Sequence, residues 1–289
     1  MISVGCDSTG LLELEDRMAW TETTRPKYDR KTERYQSDLT DAEWTVLKPE
    51  IPGAPRKWPV REIVNAILYL MRTGCQWRML PKEFPPKSTV YHWFARWRDD
   101  GVWITANHIL LMDVREALGR EASPSAGAID TQSVKTTESG GPRGFDAGKL
   151  VKGRKREIVV DTEGHLITGE IWPANVQDRD AAAFTLKGLR KRFPWLEKLF
   201  ADSGYAGEKL ANALIGEAAP ELEIIKRPRE AKGFVLLPRR WVVERTFAWF
   251  GRNRRLYKDC ERLLTTALAC LYIASVNMLI RRCATYCNS

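Results

Sequence analysis

The sequence predicts an α/β protein in two parts, a small all-α region followed by a mixed sheet with flanking helices. In residues 35–120, apolar side chains recur at the three- and four-residue spacing of amphipathic helices. In residues 121–289, short apolar runs of strand length alternate with helical segments, and two of these runs form a β-hairpin pattern. The 289 residues are 44% hydrophobic and 29% charged, which is typical of a globular protein with a substantial core.

The sequence of the first part predicts four helices, in an arrangement similar to a helix–turn–helix domain. Thr40 can cap the first helix, with Glu43 as the reciprocal partner of a capping box. Gly74 is expected to stop the second helix. The third helix carries Val90 and Phe94 on one apolar stripe. The predicted helices begin at about residues 41, 61, 90 and 102.

The second part predicts strands first and helices between later strands. A strand over 126–134 is followed by a glycine-rich basic loop over 139–156 and by a hairpin of 157–161 with 165–171. The remaining predicted elements are a helix over 178–193, a strand over 199–202, a helix over 206–218, a strand over 222–225 and a long helix over 238–257. This order predicts a mixed sheet covered by helices.

One apolar segment near the C-terminus raises the question of a membrane span. Residues 263–280 carry no charge across 18 positions, which is the lower limit for crossing a bilayer. Because Thr265, Ser275 and Asn277 dilute its apolar character, we expect a core helix, with a membrane-anchored protein as the alternative. Residues 1–34 are expected to be a poorly ordered extension.

The composition also bears on cellular setting. The start of the chain shows no apolar run of a secretory signal, so we expect a cytoplasmic protein. Its six cysteines form no Cys-x-x-Cys pair, which predicts free thiols and no structural zinc site. A formal net charge of +9 favours a polyanionic partner.

Two aspartates follow apolar strand segments. Asp130 comes after Ala-Gly-Ala-Ile, and Asp202 comes after Leu-Phe-Ala. An ionised carboxylate at the end of a buried strand is costly unless a cation compensates it, and carboxylate oxygens suit Mg²⁺ or Mn²⁺. Each aspartate could instead cap a turn, because Thr131 follows the first and Ser203-Gly204 the second. The residues alone leave both interpretations open.

Glu244 is a third candidate, on the predicted helix over 238–257. Arg240 and Glu244 fall on one helix face beside an apolar stripe, so a surface ion pair between them is one explanation. The surrounding charge favours a functional explanation, because residues 226–262 contain 12 lysines or arginines and only four aspartates or glutamates. A basic surface concentrated around one carboxylate is typical of phosphoryl transfer on DNA.

Six motifs follow one another along the chain. They are Ser37-Asp-Leu-Thr-Asp-Ala-Glu-Trp44, Gly74-Cys-Gln-Trp-Arg-Met-Leu-Pro81, Ile129-Asp-Thr-Gln-Ser-Val-Lys135, Lys152-Gly-Arg-Lys-Arg156 with Val160-Asp-Thr162, Ala201-Asp-Ser-Gly-Tyr-Ala-Gly207, and Arg239-Arg-Trp-Val-Val-Glu-Arg-Thr-Phe-Ala-Trp249. By their order and spacing, residues 35–285 resemble the DDE transposases of bacterial insertion sequences, specifically the insertion-sequence-five-like group.

The resemblance implies a ribonuclease-H-like catalytic domain over 121–289 and a helical DNA-binding domain over 35–120. It places the family's acidic triad on Asp130, Asp202 and Glu244, which would hold two Mg²⁺ ions, or Mn²⁺, for DNA cleavage and strand transfer. It further implies that the partners are the terminal inverted repeats and the target DNA. The active species would be a homodimer or higher oligomer, associated with the nucleoid and not with a membrane.

Basic residues are expected to contact DNA phosphates around this site and from the helical domain. They are Lys135, Lys149, Lys152, Arg240, Arg245, Arg252, Arg255, Arg96 and Arg98. The chain departs from the related insertion-sequence-four pattern, because Leu237 and Gly251 stand where that pattern has Tyr and Lys. Glu157 stands where related sequences have His, and we assign it no role.

Two further functions compete with that of a transposase. A catalytically inactive or domesticated protein could use the same DNA-binding residues as a repressor of the element's own ends. A cellular ribonuclease-H-like nuclease could use the same carboxylates. The intact set of three acidic residues argues against the repressor. The basic second half of the chain and the tryptophan-rich helical region argue against the cellular nuclease.

Overall fold

In the computed structural model, which describes residues 34–53, 57–225 and 238–286, helices come first and a mixed sheet follows. Helix α1 (Asp41–Leu47) begins with the predicted capping box, because the Thr40 hydroxyl accepts from the Glu43 N–H and Glu43 accepts from the Thr40 N–H. The remaining helices of this part are α2 (Val60–Thr73), α3 (Lys87–Asp99) and α4 (Val102–Ala117). The predicted extension lies outside the described residues, apart from its last one.

Local signals and aromatic packing define these helices. Gly74 ends α2 in the left-handed conformation, with φ of 69°. On α3, Val90, Phe94 and Trp97 are buried as one stripe. The Trp97 indole meets the Trp103 ring of α4 edge-on, with centroids 5.9 Å apart. The predicted helical region is therefore confirmed, and aromatic side chains contribute to its packing.

The second part contains a mixed six-stranded sheet. Its strands are β1 (Ala126–Lys135), β2 (Gly144–Asp146), β3 (Val151–Asp161), β4 (Leu166–Pro173), β5 (Lys198–Ala201) and β6 (Glu221–Ile224). Strand β1 lies in the middle, antiparallel to β3 and parallel to β5, while β6 continues the parallel side. Strands β2 and β4 both pair with β3.

Helices cover this sheet. They are α5 (Asp178–Leu186), α6 (Leu189–Arg192), α7 (Glu208–Leu214), α8 (Pro238–Phe250) and α9 (Leu264–Tyr286). The single helix expected over 178–193 is divided, because Gly188 takes a left-handed φ of 70° between α5 and α6. The long helix expected over 238–257 ends at Phe250, and a 3-10 turn follows at Arg254–Leu256.

The basic segment expected as a loop is in part a strand. Residues 151–156 form the first half of β3, and Arg154, Lys155 and Arg156 are buried there. Arg154 lies 3.0 Å from Asp259 and Lys155 lies 2.8 Å from the Asp178 carboxylate, while Arg156 donates to the Leu256 carbonyl at 2.6 Å. These partners are distant in sequence, and a local sequence pattern cannot show them. The run of basic residues therefore suggests a solvated loop, although it forms a buried strand.

Helix α9 is long and apolar enough to span a membrane, and it is the one such helix among the described residues. About two-thirds of its most apolar stretch is buried within the protein. It packs against α4 and β4, where Ser275 donates to the Asn107 side chain at 2.6 Å and the Gly169 N–H donates to the Tyr272 hydroxyl at 3.1 Å. These contacts are those of the core helix that the sequence predicts.

Candidate active site

Asp130 lies in the middle of β1, directly opposite Ile158 of β3. The Thr131 N–H donates to its Oδ1 atom at 2.7 Å, and the side chain is only 17% exposed. Burial raises the pKa of Asp130 to about 6, and the nearby Asp202 carboxylate adds to this increase, against the Thr131 hydrogen bond and the charge of Arg240. The carboxylate is thus held where its negative charge is costly without a cation.

Asp202 directly follows β5, the parallel neighbour of β1, and the register of the two strands brings it beside Asp130 in the middle of β1. The Gly204 N–H donates to Asp202 Oδ1 at 2.7 Å and starts a short 3-10 turn. The turn-cap interpretation therefore holds for Asp202, whereas Asp130 lies within β1 and its Oδ1 accepts from the next residue without any turn. The Oδ2 atom of each remains, and these two oxygens define the candidate site.

Arg240, near the start of α8, joins the two aspartates. Its Nη2 atom lies 3.9 Å from Asp130 Oδ2 and 3.8 Å from Asp202 Oδ2. Helix α8 packs against β1, which keeps the guanidinium largely buried between the carboxylates. One positive group therefore compensates both acids, at a position that a cation could share or take over.

Glu244 lies one helical turn beyond Arg240, and its side chain is exposed. Across the described ranges, no group of three His, Cys, Asp or Glu side chains is close enough to hold a metal ion. The structure thus brings together Asp130, Asp202 and Arg240, and it leaves Glu244 apart from them.

Several predicted DNA-binding residues lie on the surface. Lys149 has its Nζ atom 3.0 Å from the Thr131 carbonyl, and so lies beside Asp130. Arg96 stacks over Trp93 and has Asp100 3.6 Å away. The exposed residues of this set are Lys135, Lys149, Lys152, Arg252 and Arg96.

Other predicted DNA-binding residues have structural partners. Arg255 is buried, with its guanidinium 2.6 Å from Glu261 and a hydrogen bond to the Cys75 carbonyl, so the expectation that it grips phosphate is corrected. Arg98 is bound to Asp99 and to the Thr266 hydroxyl, and its side chain is 11% exposed.

Arg245 occupies an aromatic environment on α8. Its guanidinium carbon lies 4.9 Å from the Trp241 ring centre and 4.6 Å from that of Trp249. It also donates to the Glu163 carbonyl at 3.0 Å. The side chain therefore connects α8 to the β3–β4 turn, in addition to any contact it makes with DNA.

The sequence reasoning missed Asp178 and Tyr205. The Asp178 carboxylate is neutralised by Lys155, and a Cβ built on Gly204 would lie 3.7 Å from Asp178 Oδ2, so Asp178 borders the Asp202 turn. Burial, with several carboxylates around it, raises the pKa of Tyr205 well above its usual range. The signal for Tyr205 was present, because it belongs to the motif that starts at Ala201.

Comparison with known families identifies the chain's class. The family described as "Transposase DDE domain" matches residues 121–278, which includes both aspartates and Glu244. The chain belongs to the DDE transposases. The first part of this transposase, residues 39–107, matches the family described as "Putative transposase of IS4/5 family". The predicted membership of the insertion-sequence transposases is thereby confirmed.

Two relatives come from Burkholderia cepacia. The transposase is 30% identical over 113 residues to "Insertion element IS402 uncharacterized 16.2 kDa protein", covering 35% of its own length and 76% of the relative. It is 33% identical over 129 residues to "Putative transposase for insertion sequence element IS402", covering 42% of its own length and 59% of that relative. No solved structure matches the chain significantly.

Proposed function

We propose that this transposase binds the terminal inverted repeats of an insertion sequence, cleaves DNA there and joins the freed ends to target DNA. The observation that carries the proposal is the convergence of Asp130 and Asp202 on the Arg240 guanidinium, with 3.9 Å and 3.8 Å between the charged atoms. A phosphodiester is an anion, so a site with two carboxylates needs cationic help to accept one.

The strand arrangement supports a ribonuclease-H-like catalytic part over 121–289. The central β1 carries Asp130, its parallel neighbour β5 leads to Asp202, and the later α8 carries Glu244. The resemblance places the acidic residues on the first strand, the fourth strand and the helix after the last strand; here Asp202 follows the fifth strand, because the short β2 is an additional strand. The helical part over 35–120 is proposed to recognise the inverted repeats.

The donor set fits a divalent cation. Asp130 and Asp202 offer hard carboxylate oxygens directed at one positive group, and Mg²⁺ in proteins is often held by one or two carboxylates together with water and phosphate oxygens. When bound, Mg²⁺ or Mn²⁺ supplies positive charge to the reacting phosphate. A second ion, as the resemblance implies, would require Glu244 as a further ligand.

The protein's own groups prepare this site. The Thr131 and Gly204 N–H groups fix one oxygen of each aspartate, which leaves the other oxygen available. Arg240 offsets the repulsion between the carboxylates and can contact a phosphate oxygen. Lys149 adds positive charge near Asp130 and lowers the cost of ionising it.

The test compares isosteric variants of the three acids. Asp130→Asn, Asp202→Asn and Glu244→Gln should each abolish metal-dependent nicking of DNA carrying the element's ends, while fluorescence anisotropy still detects binding. Asp180→Asn is the control, because this exposed carboxylate pairs with Lys209 on the surface. Nicking at the wild-type rate by Asp130→Asn or Asp202→Asn would refute the proposed site.

The separation of Glu244 favours a second candidate, a repressor that binds the element's ends without cutting them. The same assay distinguishes the two functions. A wild-type protein that binds the ends but nicks them with neither Mg²⁺ nor Mn²⁺ is the repressor. For the transposase we further propose a homodimer or higher oligomer on DNA, located in the cytoplasm and associated with the nucleoid.

A further inference from the structure

The hairpin formed by β2 and the start of β3 lies beside the candidate active site. Its turn, residues 147–150, is held by Asp146, which accepts from the Gly148 and Lys149 N–H groups at 3.1 and 3.0 Å. Ser133 of β1 donates to the other oxygen of Asp146 at 2.5 Å. The hairpin is therefore attached firmly to the strand that carries Asp130.

The tip of this hairpin exposes apolar side chains. Leu150 is 75% exposed and Phe145 is 53% exposed. Leu150 also has a φ of 53°, a left-handed conformation that is unfavourable for a bulky side chain and that Gly or Asn adopts more easily. Neither the exposure nor the backbone conformation of Leu150 stabilises the folded chain, and unfavourable conformations of this kind concentrate at functional sites.

The surroundings of the tip are basic. Arg143, Lys149 and Lys152 are all exposed along the hairpin, and Phe145 lies directly opposite Lys152 in the ladder. Lys149 reaches from the turn to the carbonyl of Thr131, next to Asp130. Apolar side chains among cations, next to a site for phosphate chemistry, complement a DNA duplex better than they complement a protein or a lipid surface.

We propose that Leu150, supported by Phe145, is a wedge that inserts into the DNA and unstacks the base step next to the scissile phosphate. This inference rests on the proposed function. Proteins that deform DNA commonly insert Leu or Phe between base pairs while basic residues hold the phosphates. Asp130 is largely buried, so a strand loosened from its duplex reaches the carboxylates more readily than a fully stacked one.

The wedge can be measured without cleavage. We would place 2-aminopurine next to the scissile phosphate and use Asp130→Asn protein, so that the DNA stays intact. Binding should raise the fluorescence, because an unstacked 2-aminopurine is brighter. Adding Leu150→Asn should remove the rise, whereas Leu150→Met should keep it. Asn tolerates the left-handed backbone, so Leu150→Asn should melt no lower than its parent, and a loss of signal does not reflect unfolding.

Cleavage by otherwise wild-type protein gives a second readout. Leu150→Asn should cut fully paired ends about 10- to 100-fold more slowly, in line with the few kcal/mol that unstacking a base step costs. Ends that carry a mismatch at that step should restore the rate.

Three results would overturn the wedge: an unchanged fluorescence rise, no rescue by the mismatch, or an effect of Leu150→Asn on oligomeric state alone, which would make the tip a protein contact. Failure of the proposed function has a different pattern, because wild-type protein would then leave the ends uncut while the fluorescence rise still depended on Leu150.

Discussion

The Nη2 atom of Arg240 lies 3.8 Å from Oδ2 of Asp202, although 37 positions separate the two residues in the sequence. This contact connects the start of α8 to the end of β5 and places a permanent positive charge inside the candidate site. The arginine compensates the two carboxylates, and the contact with DNA proposed for it can be tested separately.

Arg240→Ala should weaken binding to DNA and reduce the slope of log K against log salt by about one, as expected for the loss of one phosphate contact. Anisotropy titrations over a range of salt concentrations measure this slope. Arg190→Ala, which removes an exposed arginine of α6, is the control and should leave the slope unchanged. An unaltered slope for Arg240→Ala would remove this residue from the DNA contacts.

Arg252 and Arg255 form a matched pair, one exposed and one buried. Arg252→Ala should lower DNA affinity and salt slope with little effect on stability. Arg255→Ala should instead destabilise the fold by about 3–5 kcal/mol, because it leaves Glu261 buried without its partner. Chemical denaturation and salt titrations of both variants test this. The reverse pattern would show that the environments of the two arginines have been assigned wrongly.

Glu157 should make stability depend on pH. Burial raises the pKa of Glu157 from 4.5 to about 8, although Thr185 donates a hydrogen bond to it. Between these pH values the native state binds a proton that the unfolded chain has lost, so stability falls as pH rises, by up to about 1.4 kcal/mol per pH unit. Glu157→Gln should flatten this dependence. Melting temperatures measured from pH 5 to pH 8 in both proteins would contradict the prediction if the two curves ran parallel.

Asp161 should be among the most sensitive positions for folding. It is buried, 2.6 Å from Arg115 and 3.1 Å from His165. Burial opposes its ionisation, but hydrogen bonds from His165 and Arg115 hold the pKa of Asp161 below its usual value. Stability from this group is therefore present above pH 3.8 and is lost as pH falls through the lower native pKa.

Asp161→Asn should cost about 3–5 kcal/mol at neutral pH, since it breaks a buried ion pair. Glu163→Gln is the matched control two positions away, because its partner Arg120 is 46% exposed and such pairs contribute about 0–1 kcal/mol. Urea unfolding of the two variants measures the difference. Equal losses would show that the Asp161 network contributes no more than a surface pair.

Sequence patterns predicted most elements of this fold because their causes are local. The capping box at Thr40 and the glycine stop at Gly74 depend on residues only a few positions apart, and both are present in the structure. The apolar runs before Asp130 and Asp202 predicted strands, and both strands are present as β1 and β5. The basic run over 151–156 suggests a loop but is a strand, because the acidic partners of Arg154 and Lys155 lie far along the chain and no local pattern reveals them.

The order of the motifs was enough to assign the chain to the DDE transposases, and it selected Asp130, Asp202 and Glu244 together, of which the structure brings the two aspartates close to one another. Whether each charged side chain can contact DNA or a metal ion depends on long-range packing. Arg255 meets Cys75 and Glu261 in the interior, Arg240 faces both aspartates, and Glu244 remains exposed one turn away. Whether a charged side chain is held in a buried ion pair or is available to bind a ligand depends on the distant groups that surround it. Those neighbours are set by the way helices and strands pack together.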